Sequence, residues 1–241
     1  WGTLLGVTRN VKTGILQVKN YTTSIYPIDE ARLARFGAEY IRAHFQPRPN
    51  PCWACRNHHC YLVEVTEGPY AGFKGEEGDY EVMAAFGSLI GQTDAGAATM
   101  LANECDKLGL EGIEAGWLIS WLIECYERGL ITRKQADGLP MNWGNVEAVK
   151  DMLGKISRRE GFGDFLAEGI MRCCEHMGGE ARDCGVYLKK GTTPRSYDVR
   201  SGIWSDILDE ATTPTGFSTD RVSHLEELGL QRADPYSPEE F

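Results

Sequence analysis

Ala115-Gly116-Trp117-Leu118-Ile119-Ser120-Trp121-Leu122-Ile123-Glu124-Cys125-Tyr126-Glu127-Arg128-Gly129 reads as one long buried helix. Ala115, Leu118, Ile119, Leu122, Ile123 and Tyr126 fall at i, i+3, i+4, i+7, i+8 and i+11, the spacing of a single helix face. Gly129 supplies the stop, because glycine adopts the left-handed backbone that closes a helix. The pattern predicts a helix over residues 114–128.

The same period extends on both sides. Thr93 or Asp94 can cap a helix that runs through Leu101 and Cys105 to Leu108. Val146, Val149, Met152, Leu153 and Ile156 mark a third helix. Leu166, Ile170, Cys173 and Met177 mark a fourth that ends at Gly178-Gly179. Further toward the N-terminus, Pro27-Ile28-Asp29 opens a helix of about 15 residues, with Leu33, Phe36, Tyr40 and Ile41 on one face. Residues 1–26 alternate in short runs and are expected to be strands or extended connections. Residues 61–66, with the Gly-Pro turn at 68–69, are expected to form a small hairpin. The predicted fold is mainly α: an irregular helical body over 27–241, a short extended or β piece at 1–26, and one hairpin.

Composition narrows the partners. The 241 residues are enough for a substantial core, and the formal net charge of −10 with no basic stripe argues against a nucleic-acid partner. No apolar run is long enough to span a bilayer, and no signal peptide is evident at the N-terminus. Eight cysteines without a secretory signal point to reduced thiols in a cytoplasm. The chain does not begin with Met, and its last residues read as a loop, so a fragment or a processed chain is expected.

Three of the cysteines crowd into Pro51-Cys52-Trp53-Ala54-Cys55-Arg56-Asn57-His58-His59-Cys60. Packing rarely demands C-x2-C-x4-C on a proline-led loop. Thiolates so close together can converge on one soft metal centre, and iron–sulfur clusters are held by such runs with a fourth cysteine from elsewhere. Zinc is the competing reading, with His58 and His59 joining Cys52 and Cys55 in a four-ligand site; three ordinary free cysteines, or a disulfide plus one, are the unreactive one.

Three further segments carry candidate chemistry. Lys74-Gly75-Glu76-Glu77-Gly78-Asp79-Tyr80-Glu81 is either a solvated acidic turn or the source of one carboxylate aimed into a buried site as acid or base. In Asp106-Lys107-Leu108-Gly109-Leu110-Glu111, Gly109 is explained as a helix stop. Asp106 is less expected, because the helix's last carbonyls repel it, and it hints at a nitrogen-rich ring as hydrogen-bond donor. Lys189-Lys190-Gly191-Thr192-Thr193-Pro194-Arg195-Ser196-Tyr197-Asp198-Val199-Arg200 gathers cations and hydroxyls, either as a solvated loop or to meet an anionic ligand.

In this order the four segments resemble the tungsten-containing aldehyde:ferredoxin oxidoreductase family, over roughly residues 45–220. The most specific elements are the cysteine loop and Asp-x-x-Gly-Leu-acid (Asp106 to Glu111); Glu77-Gly78-Asp79-Tyr80-Glu81, the helix Trp121 to Leu130, and Lys190-Gly191 before Asp198-Val199-Arg200 complete the order. The resemblance implies the helical part of that fold, a tungsten (or molybdenum) bis-pterin and one 4Fe-4S cluster. Carried over, Cys52, Cys55 and Cys60 would be cluster ligands. Asp106, with Gly109 and Leu110 of its motif, would bind a pterin ring, Glu81 would be the acid/base near the metal, and Lys190 would lie near cluster and pterin. It further implies oxidation of an aldehyde to a carboxylic acid in an anaerobic cytoplasm, with electrons leaving to ferredoxin or an electron-transfer subunit, in a homo-oligomer or a larger complex. The family's β-rich domain would precede residue 1 and its fourth cysteine would follow residue 241, so this piece alone is expected to be inactive.

Two positions differ from the family's pattern. Cys60 follows Cys55 by five positions where four is usual, and Leu188 stands where a histidine precedes the lysine. The alternative within the family is the tungsten subunit of a class II benzoyl-CoA (aryl-CoA) reductase, which the stretch Thr66 to Glu77 also resembles. Outside the family, the alternative is a zinc-stabilised helical module without catalysis.

Overall fold

The central helix α6 spans Gly112–Glu127, capped by the Glu111 side chain at the Glu114 N–H. In the computed structural model, which describes residues 4, 6–51, 53–54, 60–195 and 198, its Trp117 and Trp121 are among the largest fully buried side chains. The helices that precede it are α1 (Gly6–Thr13), α2 (Glu30–Arg35), α3 (Ala38–His44), α4 (Tyr80–Ala85) and α5 (Ala95–Lys107). Those that follow are α7 (Val146–Arg158), α8 (Phe162–Leu166), α9 (Ile170–Met177) and α10 (Gly179–Asp183). A small antiparallel sheet of order β1-β2-β3 joins Arg48–Pro49, Tyr61–Glu64 and Lys74–Glu76. The fold is thus mainly α with one small sheet, as the sequence predicts.

Several expectations are corrected. The segment expected to be extended contains α1, whose Val7 and Asn10 are buried; among its described residues only the bridge Val18–Thr23 is β-like. The single helix expected after Pro27 is two. Asp29 does cap α2, accepting from the Arg32 N–H, but the chain resets at Phe36 and Gly37 before α3. Likewise the predicted fourth helix is split into α8 and α9 at Gly169, whose φ of 86° no helix accommodates. The hairpin is closer to expectation: β2 pairs β3 with Leu62 opposite Glu76 and Glu64 opposite Lys74.

Two apolar cores meet at α4. One is built on α5 to α9 and includes Ala85 and Phe86. The other holds Leu16, Val18, Phe36, Ile41, Val63 and Val65 together with Met83 and Ala84. Close approach makes the junction. A methyl group added at Gly116 of α6 would lie 2.6 Å from Ala85 Cβ, so only glycine lets these helices touch. Asn103 of α5 extends the sheet sideways: its Oδ1 accepts from the Glu76 N–H at 2.7 Å and its Nδ2 donates to the Glu76 carbonyl at 2.9 Å. A buried amide thereby satisfies the outer edge of β3, where unpaired backbone groups would be costly. It also fixes the acidic stretch that follows against the end of α5.

Candidate functional site

The acidic stretch divides into four different environments. Glu76 accepts from Asn50 Nδ2 at 3.0 Å. Glu77 is paired with Arg42, which reaches both of its oxygens at 3.1 Å. Asp79 is the N-cap of α4 and accepts from the Glu81 and Val82 N–H groups. Glu81, in the first turn of that helix, is buried, with 9% of its surface exposed. A solvated turn therefore describes Glu76 but not Glu81.

The Glu81 carboxylate meets a cation from far along the chain. Arg195 Nη1 lies 2.8 Å from its Oε1, and Tyr80 Oη donates to the same oxygen at 3.2 Å. Burial pushes the Glu81 carboxyl above the usual carboxylate range, Arg195 pulls it back, and Asp79 pushes it up again. Burial wins, so the group is set for proton transfer nearer neutrality than an ordinary glutamate.

Arg195 is held there by its own segment. Trp117 Nε1 donates to the Pro194 carbonyl at 2.9 Å, and Glu114 accepts hydrogen bonds from Thr193. Upstream, Leu188 and Thr192 close a turn through the Leu188 N–H to Thr192 carbonyl bond at 2.8 Å. This turn carries the exposed Lys190, and its Gly191 packs on Met171 of α9. Lys190 is thus five positions ahead of Arg195 on a pinned strap.

Asp106 is exposed near the end of α5. Partial burial and then the carboxylates of Glu76, Asp79 and Glu111 push its carboxyl up. Gly109 (φ 72°) and Leu110 close the helix, with Gly109 N–H donating to the Asp106 carbonyl and Leu110 N–H to the Cys105 carbonyl. Both are accounted for as a helix stop, whatever else they touch. The structure therefore brings Asp106 near the start of the Glu81 helix, as two acids sharing one electrostatic neighbour, Asp79.

The cysteine loop leaves the sheet between β1 and β2. Its neck is closed by the Asn50 N–H to Cys60 carbonyl bond at 3.0 Å, and Arg48 and Pro49 pair with Leu62 and Tyr61. Cys60 is half-buried at this neck, and Trp53 on the loop is 95% exposed. Cys52 and Cys55 lie outside the described residues. Among the described residues no group of three or more His, Cys, Asp or Glu is arranged to hold a metal ion, and no helix is long and apolar enough to cross a membrane.

Comparison with known proteins gives the frame for these residues. The family model of aldehyde ferredoxin oxidoreductase, domains 2 and 3, matches residues 1–240. The chain belongs to the aldehyde ferredoxin oxidoreductase family. It is 33% identical over 206 residues to the tungsten-containing aldehyde ferredoxin oxidoreductase of Pyrococcus furiosus, covering 83% of this chain and 31% of that protein. The enzyme of the same name from Thermococcus kodakarensis is 30% identical over 206 residues, with the same coverage of 83% and 31%. The WOR-like subunit of an aliphatic sulfonate oxidoreductase, also from Pyrococcus furiosus, is 33% identical over 140 residues, covering 56% of this chain and 22% of that one. Among solved structures, the active site complex BamBC of benzoyl coenzyme A reductase, bound to 1,5-dienoyl-CoA, shares the fold. The TM-score is 0.65 at 19% identity, over 81% of this chain and 29% of that one. The chain spans about a third of the length of the aldehyde ferredoxin oxidoreductases it matches.

The described residues fit the groups that such a family implies. Cys60 places a cysteine sulfur, the donor type of an iron–sulfur site, at a closed loop neck. The Asp106 side chain accepts no hydrogen bond from the described residues, yet sits among acids at a helix end, where a donor-rich ring would relieve it. Sequence reasoning missed Arg195 as an individual residue, and it gave no role to Asn103 or Trp117. Arg195 lies 114 positions from Glu81, and no local pattern links such a pair.

Proposed function

We propose that this chain contributes the cluster-binding and pterin-facing helical part of an oxidoreductase that oxidises an aldehyde to a carboxylic acid. The carrying observation is Glu81: a buried carboxylate, raised by burial and balanced by one arginine, set beside an acid-lined helix end in a chain of this family. Residues 27–241 would form the cluster- and pterin-binding part, with 1–26 as its link to a β-rich domain.

Cys52, Cys55 and Cys60 would hold a 4Fe-4S cluster, and Asp106 would accept hydrogen bonds from a pterin ring, with Gly109 and Leu110 shaping that end of the helix. Lys190 would lie on the cluster side. A tungsten (or molybdenum) bis-pterin would, when bound, supply the two-electron chemistry, and a cluster held by the cysteines would supply one-electron transfer toward ferredoxin or an electron-transfer subunit. The chain's own residues do the rest. Glu81 takes up a proton as the aldehyde carbon is oxidised and returns it to solvent. The apolar cores on either side of α4 keep the helix, and so the carboxylate, in place.

A second reading, aryl-CoA reduction, is favoured by one observation: Leu188, which cannot exchange a proton, occupies the position two before Lys190. The experiment is metal analysis and turnover of the full-length protein. About four irons with tungsten, and reduction of a viologen by aldehydes, are expected. One zinc and no iron would overturn the reading, and turnover of an aryl-CoA in place of aldehydes would select the second. Glu81→Gln is expected to keep both metals and lower turnover by about 10²-fold or more.

A further inference from the structure

Arg195 is the unexplained group in this site. It is 6% exposed, it comes from a non-helical segment, and it reaches a carboxylate 114 positions earlier. Buried arginines are expensive unless their geometry is fixed from both ends. Here it is. On the N-terminal side the Pro194 carbonyl is held by Trp117 Nε1, and Thr193, 2% exposed, is held by Glu114. On the C-terminal side the Asp198 N–H donates to the Ile15 carbonyl at 2.9 Å, and its carboxylate accepts from Tyr21 Oη.

The pairing is also one-sided. Arg195 Nη1 and Tyr80 Oη both go to Oε1 of Glu81. The Tyr80 ring is itself positioned by packing on Gly6 of α1, where any side chain would collide with it.

We propose that Arg195 is a positioning residue for Glu81: it commits Oε1 to the ion pair and thereby assigns proton exchange to Oε2. The inference rests on the reading of Glu81 as the acid/base. In the reaction RCHO + H2O → RCOOH + 2 H⁺ + 2 e⁻, one of the released protons passes to Oε2 and on to solvent, and the electrons go to the one-electron acceptor already named. A carboxylate free to rotate would offer either oxygen and lose the alignment that proton transfer needs.

The charges around the pair make a single cation consequential. Asp79, the N-cap of α4, is the acid that acts on Glu81, and Glu114 of α6 holds Thr193 two positions before Arg195. Lys107 of α5 is engaged by Glu104, while Arg9 and Lys12 of α1 are exposed. Arg195 thus opposes Asp79 at the Glu81 carboxyl.

The test compares full-length wild type with Arg195→Gln, Arg195→Lys and Glu81→Gln. Arg195→Gln is expected to lower kcat about tenfold or more with a smaller change in KM. The acid limb of its pH–rate profile should move upward by roughly one unit or more, the scale set by a close opposite charge. Arg195→Lys, keeping the charge but losing the fork, should restore the limb and only part of kcat. A second readout needs no turnover. Infrared titration of the glutamate-labelled protein should show a protonated carboxyl band that is absent in Glu81→Gln and titrates at higher pH in Arg195→Gln. If Arg195→Gln leaves both the limb and the band in place while Glu81→Gln loses turnover, the positioning role is overturned and Glu81 stands. If Glu81→Gln turns over normally, the reading beneath it falls instead. Should Arg195→Gln not fold, the infrared midpoint in Arg195→Lys decides: a midpoint equal to wild type with kcat reduced supports positioning, and an unchanged kcat overturns it.

Discussion

Glu81 has an ordinary carboxyl in the unfolded chain and a raised one in the folded protein, because its burial outweighs the attraction of Arg195. Between those two values the folded state keeps a proton that the unfolded state has lost, so stability falls as pH rises through that window. Below the ordinary value of 4.5 both states are protonated and the contribution disappears. Wild type should therefore lose urea resistance relative to Glu81→Gln as pH climbs from there; parallel curves for the two proteins would contradict the burial of this group. The reverse deletion costs more. Arg195→Met strands a buried carboxylate and is expected to destabilise by about 3–5 kcal/mol at neutral pH. The loss should shrink in mild acid, where Glu81 can take up a proton. Denaturant unfolding at both pH values checks the sign.

At the scale of elements, the helices rest on a few contacts that tolerate little change. Gly116 lets α6 meet Ala85 of α4, so Gly116→Val should cost about 1–3 kcal/mol through overpacking, read as a lower melting temperature. Asn103 serves β3 with its side-chain amide and also donates to the Thr99 carbonyl at 2.8 Å. Asn103→Ala should cost about 1–3 kcal/mol and release the Glu76 amide to hydrogen exchange; continued protection there would show that the sheet edge stands without it. The helices with a clear 3.6 period were legible in the sequence: α5 with its Asp94 cap, α6 and α7 run where their patterns place them. The short ones were not. α1 is only 8 residues long and α4 only 6, too brief for periodicity, and the split between α8 and α9 turns on the backbone of one glycine. The candidate site was legible as motifs in order, but the Arg195 partnership was not, because folding alone brings that strap to α4.

At the scale of the whole molecule, the cysteines among the described residues separate into two populations. Cys105, Cys173 and Cys174 are fully buried, and burial pushes their thiols up to about 12. Cys125 is raised too, by burial first and then by the neighbouring Cys184, whose sulfur accepts from Arg128 Nη1 at 2.9 Å. Cys60 stands apart at the loop neck, half exposed. In the folded protein iodoacetamide should spare Cys105, Cys125, Cys173 and Cys174 until denaturant is added, as followed by peptide mass spectrometry. Rapid labelling of Cys174 would mean that α9 and α10 do not cover it as described.

The neck itself has a kinetic meaning. Because the Asn50 and Cys60 backbones already join across β1 and β2, the ends of the cysteine loop stay together whether or not metal is bound. The entropy of closing a loop of this length is met by the sheet and not by the incoming ion. For the cluster proposed above, loading need not bring the loop ends together, and its loss need not unravel the domain. Stripping iron with a chelator and returning it should then restore the site at a rate independent of refolding, with the helices intact throughout.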